Sequence, residues 1–91
     1  MTEMLLAFTD QGWEDYAHWQ QHDPKMMERI NELLRDTMRH PFFGIGKPEP
    51  LKRDQQGLWS RRINQEHRLV YSVKGKGDDQ TLIVTQCRFH Y

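Results

Sequence analysis

Met4–Phe8 is a short apolar run that predicts a first strand, after which the spacing of apolar residues changes period. Thr9 and Asp10 offer N-cap oxygens for a helix over Gln11–Gln21, in which Trp13, Tyr16, Ala17 and Gln20 recur three and four apart. Asp23-Pro24 is a second start signal, a capping side chain followed by proline at the first helical position. Met27, Ile30, Leu34 and Met38, with Met26 and Leu33 beside them, give one apolar stripe to about Arg39. His40-Pro41 ends that helix, because the residue before proline is pushed out of the helical region. Two antiparallel helices in a short hairpin follow.

Gly44, Gly46, Pro48 and Pro50 mark a loop, and beyond Gly57 the pattern switches to strands over Leu58–Ile63, His67–Val73 and Thr81–His90. Asn64-Gln65-Glu66 makes one tight connection and Lys74–Gln80 a looser one; short connections require antiparallel neighbours. The predicted class is α+β: one domain spanning residues 1–91, with an N-terminal helical hairpin packed on one face of a small, twisted antiparallel sheet. Strand alternation places Leu69, Tyr71 and Val73, together with Ile83, Cys87 and Phe89, under the helices. Arg62, Arg68, Arg88 and His90 then share the uncovered face.

Composition narrows the class. Ninety-one residues, 36% hydrophobic and 29% charged, fit a globular domain near the lower size limit for a single core. No apolar run approaches the roughly 18–20 residues that cross a bilayer, and MTEMLLAF lacks the basic start and cleavage site of a signal peptide. The single Cys87 excludes an internal disulfide and suits a reducing cytoplasm, where it reads as a small core residue. The formal charge of zero conceals polarity: residues 1–38 carry eight acids and three bases, residues 39–91 ten bases and five acids. The second half therefore has the charge to face an anion.

The uncovered face has the groups needed to cleave RNA through its own 2′-hydroxyl: a base, an acid and cations for the phosphoryl oxygens. Glu49 is the candidate general base. A loop glutamate is ordinarily a solvated side chain, but Pro48 and Pro50 restrict this one's backbone. His90 is the candidate general acid, since imidazole titrates near neutrality. Arg68 and Arg62 present planar donors suited to a phosphate in transit. Lys52 and Lys47 add point charges, Arg88 lies on the same predicted face, and Tyr91 can stack on a base. His18 and His22 stand four apart on the first helix without a third metal ligand of matching placement, so neither metal nor other cofactor is expected.

The segments WEDYAHWQQ, KPEPLK, GLWSRRINQEHRLVY and CRFHY closely resemble the YoeB (Txe/YoeB) toxins of bacterial type II toxin–antitoxin systems, within the RelE-like superfamily. The similarity runs over nearly the whole chain. It implies a RelE/ParE-like fold and a ribosome-dependent mRNA endonuclease that cuts in the A site of the 70S ribosome, made as a cytoplasmic homodimer. It also implies a YefM-like antitoxin whose flexible segment folds over the toxin, the complex then repressing its own operon. Operator DNA is thus met only through the antitoxin, and no membrane is involved. By motif position the family's base falls on Glu49, its acid on His90 and its phosphate-binding arginines on Arg62 and Arg68, with Lys52 and Tyr91 completing the surface. Residues 1–3 extend the usual N-terminus and Lys74–Asp79 lengthens the last hairpin. The alternative is a non-catalytic inhibitory module of the same fold, a ParE-like gyrase inhibitor or a protein that occludes the ribosome. Such a module has no need of an acid and a base together.

Overall fold

The computed structural model describes residues 4–52, 55 and 57–89. Strand β1 (Leu5–Phe8) leads into helices α1 (Asp10–His22) and α2 (Pro24–Arg39), followed by β2 (Glu49–Pro50), β3 (Trp59–Arg62), β4 (Arg68–Lys74) and β5 (Thr81–Gln86). Both caps form as expected. The Thr9 hydroxyl accepts from Gly12 N–H, and the Asp23 carboxylate accepts from Met26 N–H with Pro24 opening the helix. The five strands stand in the order β1-β5-β4-β3-β2. All neighbours are antiparallel except β1, which pairs in parallel with β5. That exception follows from connectivity: the whole helical hairpin separates β1 from the meander, so no tight turn constrains its direction.

Glu49–Pro50, expected as loop, is instead a two-residue edge strand, with Glu49 opposite Ser60. Proline is tolerated there because an edge strand does not need every N–H for the ladder. The core joins α1 and α2 to one sheet face through Trp19, Ile30, Leu33, Leu34, Leu69, Tyr71, Leu82, Val84 and Cys87.

Two expected faces are corrected. In β5 it is Leu82 and Val84, not Ile83, that lie in the core, while Cys87 is buried as expected. The register shifts between Val70 and Tyr71, so Thr85 is an extra residue and the alternation changes phase across it. On α1 the buried residues are Gly12, Asp15 and Trp19, whereas Trp13 is 54% exposed and Gln20 is exposed. Gly12 lets the helix approach β5 so closely that a Cβ there would lie 2.2 Å from Val84 O. The Asp15 carboxylate accepts from Cys87 N–H, and the Trp19 indole donates to Cys87 O. A face built from a glycine, a hydrogen-bonded acid and one tryptophan is invisible to an apolar count.

Burial pushes the Cys87 thiol up to about 12. Reagents that attack thiolates should therefore leave the native protein untouched. Alkylation at pH 8 is expected only at the rate of unfolding; rapid labelling of folded protein would show that the thiol is accessible.

Candidate active site

The row Glu49–Ser60–Val70–Gln86 crosses four strands on the sheet face opposite the helices. Two residues further along β3, and on the same side, Arg62 stands directly opposite Arg68 of β4. Lys47, Glu49, Ser60, Arg62 and Arg68 consequently line one cleft. It encloses about 60 Å³, too small for a nucleotide, so a polymer would lie across its mouth and present only a backbone group. Among these lining residues a single carboxylate meets three cations. Arg68 is aimed by its own turn, its Nη1 donating to the carbonyls of Asn64 (2.8 Å) and His67 (3.1 Å).

What holds Lys47 and Glu49 against the arginines is Arg61, the neighbour of Arg62 on the opposite parity of β3. Its side chain is fully buried. Nε donates to the Tyr71 hydroxyl at 3.2 Å, and Nη1 to the Asp36 carboxylate at 2.6 Å and Ile45 O at 3.0 Å. Nη2 donates to Phe43 O at 2.8 Å and to His40 O. All five guanidinium donors are thereby used. Tyr71 in turn donates to Pro41 O, Asp36 accepts from Ile45 N–H, and Gly46 O accepts from Arg62 N–H at 2.7 Å. The segment from His40 to Gly46 thus turns its carbonyls inward around one cation and leaves Phe42 and Phe43 exposed. Gly44 (φ 121°) and Gly46 (φ 80°) allow this path. A Cβ on Gly44 would lie 2.1 Å from Asp36 Oδ2. The Arg61 guanidinium holds the Asp36 carboxyl below its usual range, and burial raises the Tyr71 hydroxyl.

The structure brings together four of the expected residues: Glu49, Lys47, Arg62 and Arg68. Lys52 is exposed just beyond β2 and does not line the cleft. Arg88 is a correction. It was expected beside Arg62 and Arg68, but β5 ends at Gln86 and its alternation does not reach Arg88. The guanidinium carbon sits 6.0 Å from the Trp19 ring and 4.6 Å from that of Phe89, against α1. His90 and Tyr91 lie outside the described residues. Two hydrogen bonds hold Phe89 to the start of β4: its carbonyl accepts from Arg68 N–H at 3.1 Å, and its N–H donates to His67 Nδ1 at 2.7 Å. That bond requires Nδ1 of His67 to be unprotonated. Phe89 adopts φ 66°, uncommon outside glycine.

Ser60, Arg61 and His67 were not singled out in the sequence. Ser60 shares the strand parity of Arg62, a usable signal; Arg61 and His67 are specified by non-local contacts. The His18 and His22 rings lie 4.7 Å apart. Among the described residues no group of three or more His, Cys, Asp or Glu gathers as a metal ion requires, and no helix is long and apolar enough to cross a membrane.

The helical hairpin on a five-stranded sheet agrees with the fold of toxins of bacterial toxin–antitoxin systems, and residues 8–91 match the family of YoeB-like toxins of bacterial type II toxin–antitoxin systems. The chain belongs to the YoeB family. It is 50% identical to Toxin YoeB of Escherichia coli K12 over 88 residues, covering 97% of this chain and 100% of that protein. The solved YoeB/ParE toxin from Agrobacterium tumefaciens is 57% identical and superposes with a TM-score of 0.94, covering 97% of this chain and 100% of that one. Two Staphylococcus aureus structures, a YoeB dimer and a heterotetrameric YoeB–YefM toxin–antitoxin complex, are each 44% identical with a TM-score of 0.85. Each covers 99% of this chain and 100% of the other.

Proposed function

We propose that this toxin is an endoribonuclease that cuts mRNA in the A site of the translating ribosome. One observation carries the reading: Glu49 shares a cleft with the opposed pair Arg62 and Arg68, a proton acceptor beside two phosphate-binding forks. Glu49 takes the proton of the ribose 2′-hydroxyl, and the 2′-oxygen attacks the adjacent phosphorus. Arg62 and Arg68 hold the non-bridging oxygens as charge builds on them, with Lys47 adding a further positive charge. The bond from phosphorus to the 5′-oxygen breaks, and His90 protonates that oxygen. The products are a 2′,3′-cyclic phosphate, which hydrolyses to a 3′-phosphate, and a 5′-hydroxyl. Base, acid and cations all come from protein side chains, so the chemistry needs no metal. Lys52, Tyr91 and Arg88 are proposed RNA contacts outside this core.

A YefM-like antitoxin is the proposed partner, as in the S. aureus complex, covering the Arg62/Arg68 face; a homodimer follows the S. aureus dimer. Operator DNA would be bound through the antitoxin complex. Purified toxin added to 70S ribosomes with a defined A-site codon should yield mRNA cut within that codon, ending in cyclic phosphate, and at an unchanged rate when chelator is added with ribosome integrity controlled. Arrest of translation with intact mRNA would point instead to occlusion of the ribosome, and gyrase inhibition to the ParE-like alternative.

A further inference from the structure

Arg62 and Arg68 wall a second, wider depression on their other side, of about 430 Å³ and completed by Arg29, Ile63, Asn64 and Gln65. Arg29 comes from α2, remote in sequence, and its place there is built. Nε donates to Ile63 O at 3.3 Å and Nη2 to Arg62 O at 3.4 Å, which ties the guanidinium to the end of β3. Its counter-ion is Glu32, bonded to Nη1 at 2.6 Å on a side chain 58% exposed. Exposed pairs of this kind contribute little and exchange readily for another anion. Three guanidinium groups therefore ring one depression, and two of them also wall the cleft that holds Glu49.

We propose that the Arg29 depression binds a second RNA phosphate, beside the one being cleaved. The proposal rests on the cleavage reading and extends it. A single strand carries one negative charge per nucleotide, so a backbone whose scissile phosphate sits between Arg62 and Arg68 brings further phosphates to either side. Glu32 holds Arg29 Nη1 in the free protein and competes with RNA for that guanidinium. Arg29 and Glu32 therefore act with opposite signs on affinity, and neither touches the reacting atoms.

The test is single-turnover cleavage on programmed ribosomes, titrated with toxin at several salt concentrations. Arg29→Gln should raise the half-saturating concentration about 3–10-fold and reduce the salt slope by about one, leaving the saturating rate unchanged. Arg29→Lys should fall between it and wild type, and Glu32→Gln should lower the half-saturating concentration a few-fold. If the ion pair were merely structural, both partners' substitutions would shift the same property in the same direction. Messenger RNA with an uncharged methylphosphonate at a flanking linkage identifies the source. If Arg29→Gln has no further effect on that substrate, the phosphate belongs to the mRNA. If its effect persists at every flanking position, the phosphate belongs to ribosomal RNA, and the site stands. Half-saturation within twofold of wild type for both Arg29→Gln and Glu32→Gln, or a loss confined to the saturating rate, overturns the proposal. A wild-type protein that cuts nothing overturns the cleavage reading too, and is recognised before any variant is compared.

Discussion

Glu49→Gln is expected to lower the single-turnover rate of mRNA cleavage on programmed ribosomes at least about a hundredfold, the lower end of what general acid–base catalysis contributes. Glutamine keeps the shape and an oxygen but cannot take the proton. Glu49 is exposed on a two-residue edge strand, so the substitution should change stability by less than about 0.5 kcal/mol. Melting temperature and ribosome affinity should stay near wild type, which separates loss of chemistry from loss of fold. His90→Ala should produce a loss of the same order, because departure of the 5′-oxygen then lacks its proton. Wild-type cutting by Glu49→Gln would remove this residue as the base and leave the cleft an anion site only.

The second large effect is on stability. Arg61→Leu should cost about 3–5 kcal/mol, the usual consequence of removing one partner from a buried ionic network. The loss removes the donors that Arg61 supplies to Tyr71 and three inward carbonyls, and leaves Asp36 with the Ile45 N–H in place of its ion pair. At about 4 °C or more per kcal/mol for a domain of this size, the melting temperature should fall by more than about 12 °C. Asp36→Asn should be milder, since an amide oxygen still accepts. It also carries a pH signature. The Asp36 carboxyl is held below its usual range chiefly by the Arg61 hydrogen bond, so its contribution is present above the unfolded value of 3.8 and lost as pH falls below it. Wild-type melting temperature should therefore drop more steeply below about pH 4 than that of Asp36→Asn. Parallel acid profiles for the two proteins would show that the pair is not coupled to folding.

Features specified locally were legible in the sequence. Thr9 and Asp23-Pro24 cap helices within three residues of themselves, and β3 pairs with β4 across a short turn, which put Arg62 and Arg68 on one face. Local reasoning failed where a distant partner decides. The bulge at Thr85 shifts the phase of β5 against β4, so the parity that worked in β3 and β4 misplaced Ile83 and did not carry to Arg88. The buried side of α1 is set by a carboxylate and an indole that meet Cys87, 72 and 68 residues away. Arg61 looked like one more basic residue in a basic run. Its burial depends on carbonyls 16 to 21 residues earlier in the chain and an aspartate 25 earlier, none of which carries a recognisable motif.

The strand order also constrains the toxin's synthesis. β5 is the last strand to leave the ribosome, yet it lies inside the sheet between β1 and β4 and is the strand on which α1 packs. Until residues 81–86 emerge, β1 has no strand to pair with and α1 lacks the strand on which most of its sheet packing falls. Domains usually begin to fold from the N-terminus as they are made, but here the earliest elements wait for the latest. A nascent chain lacking β5 cannot join β1 and the helical hairpin to the meander that carries the cleft, so the complete fold forms only late in synthesis.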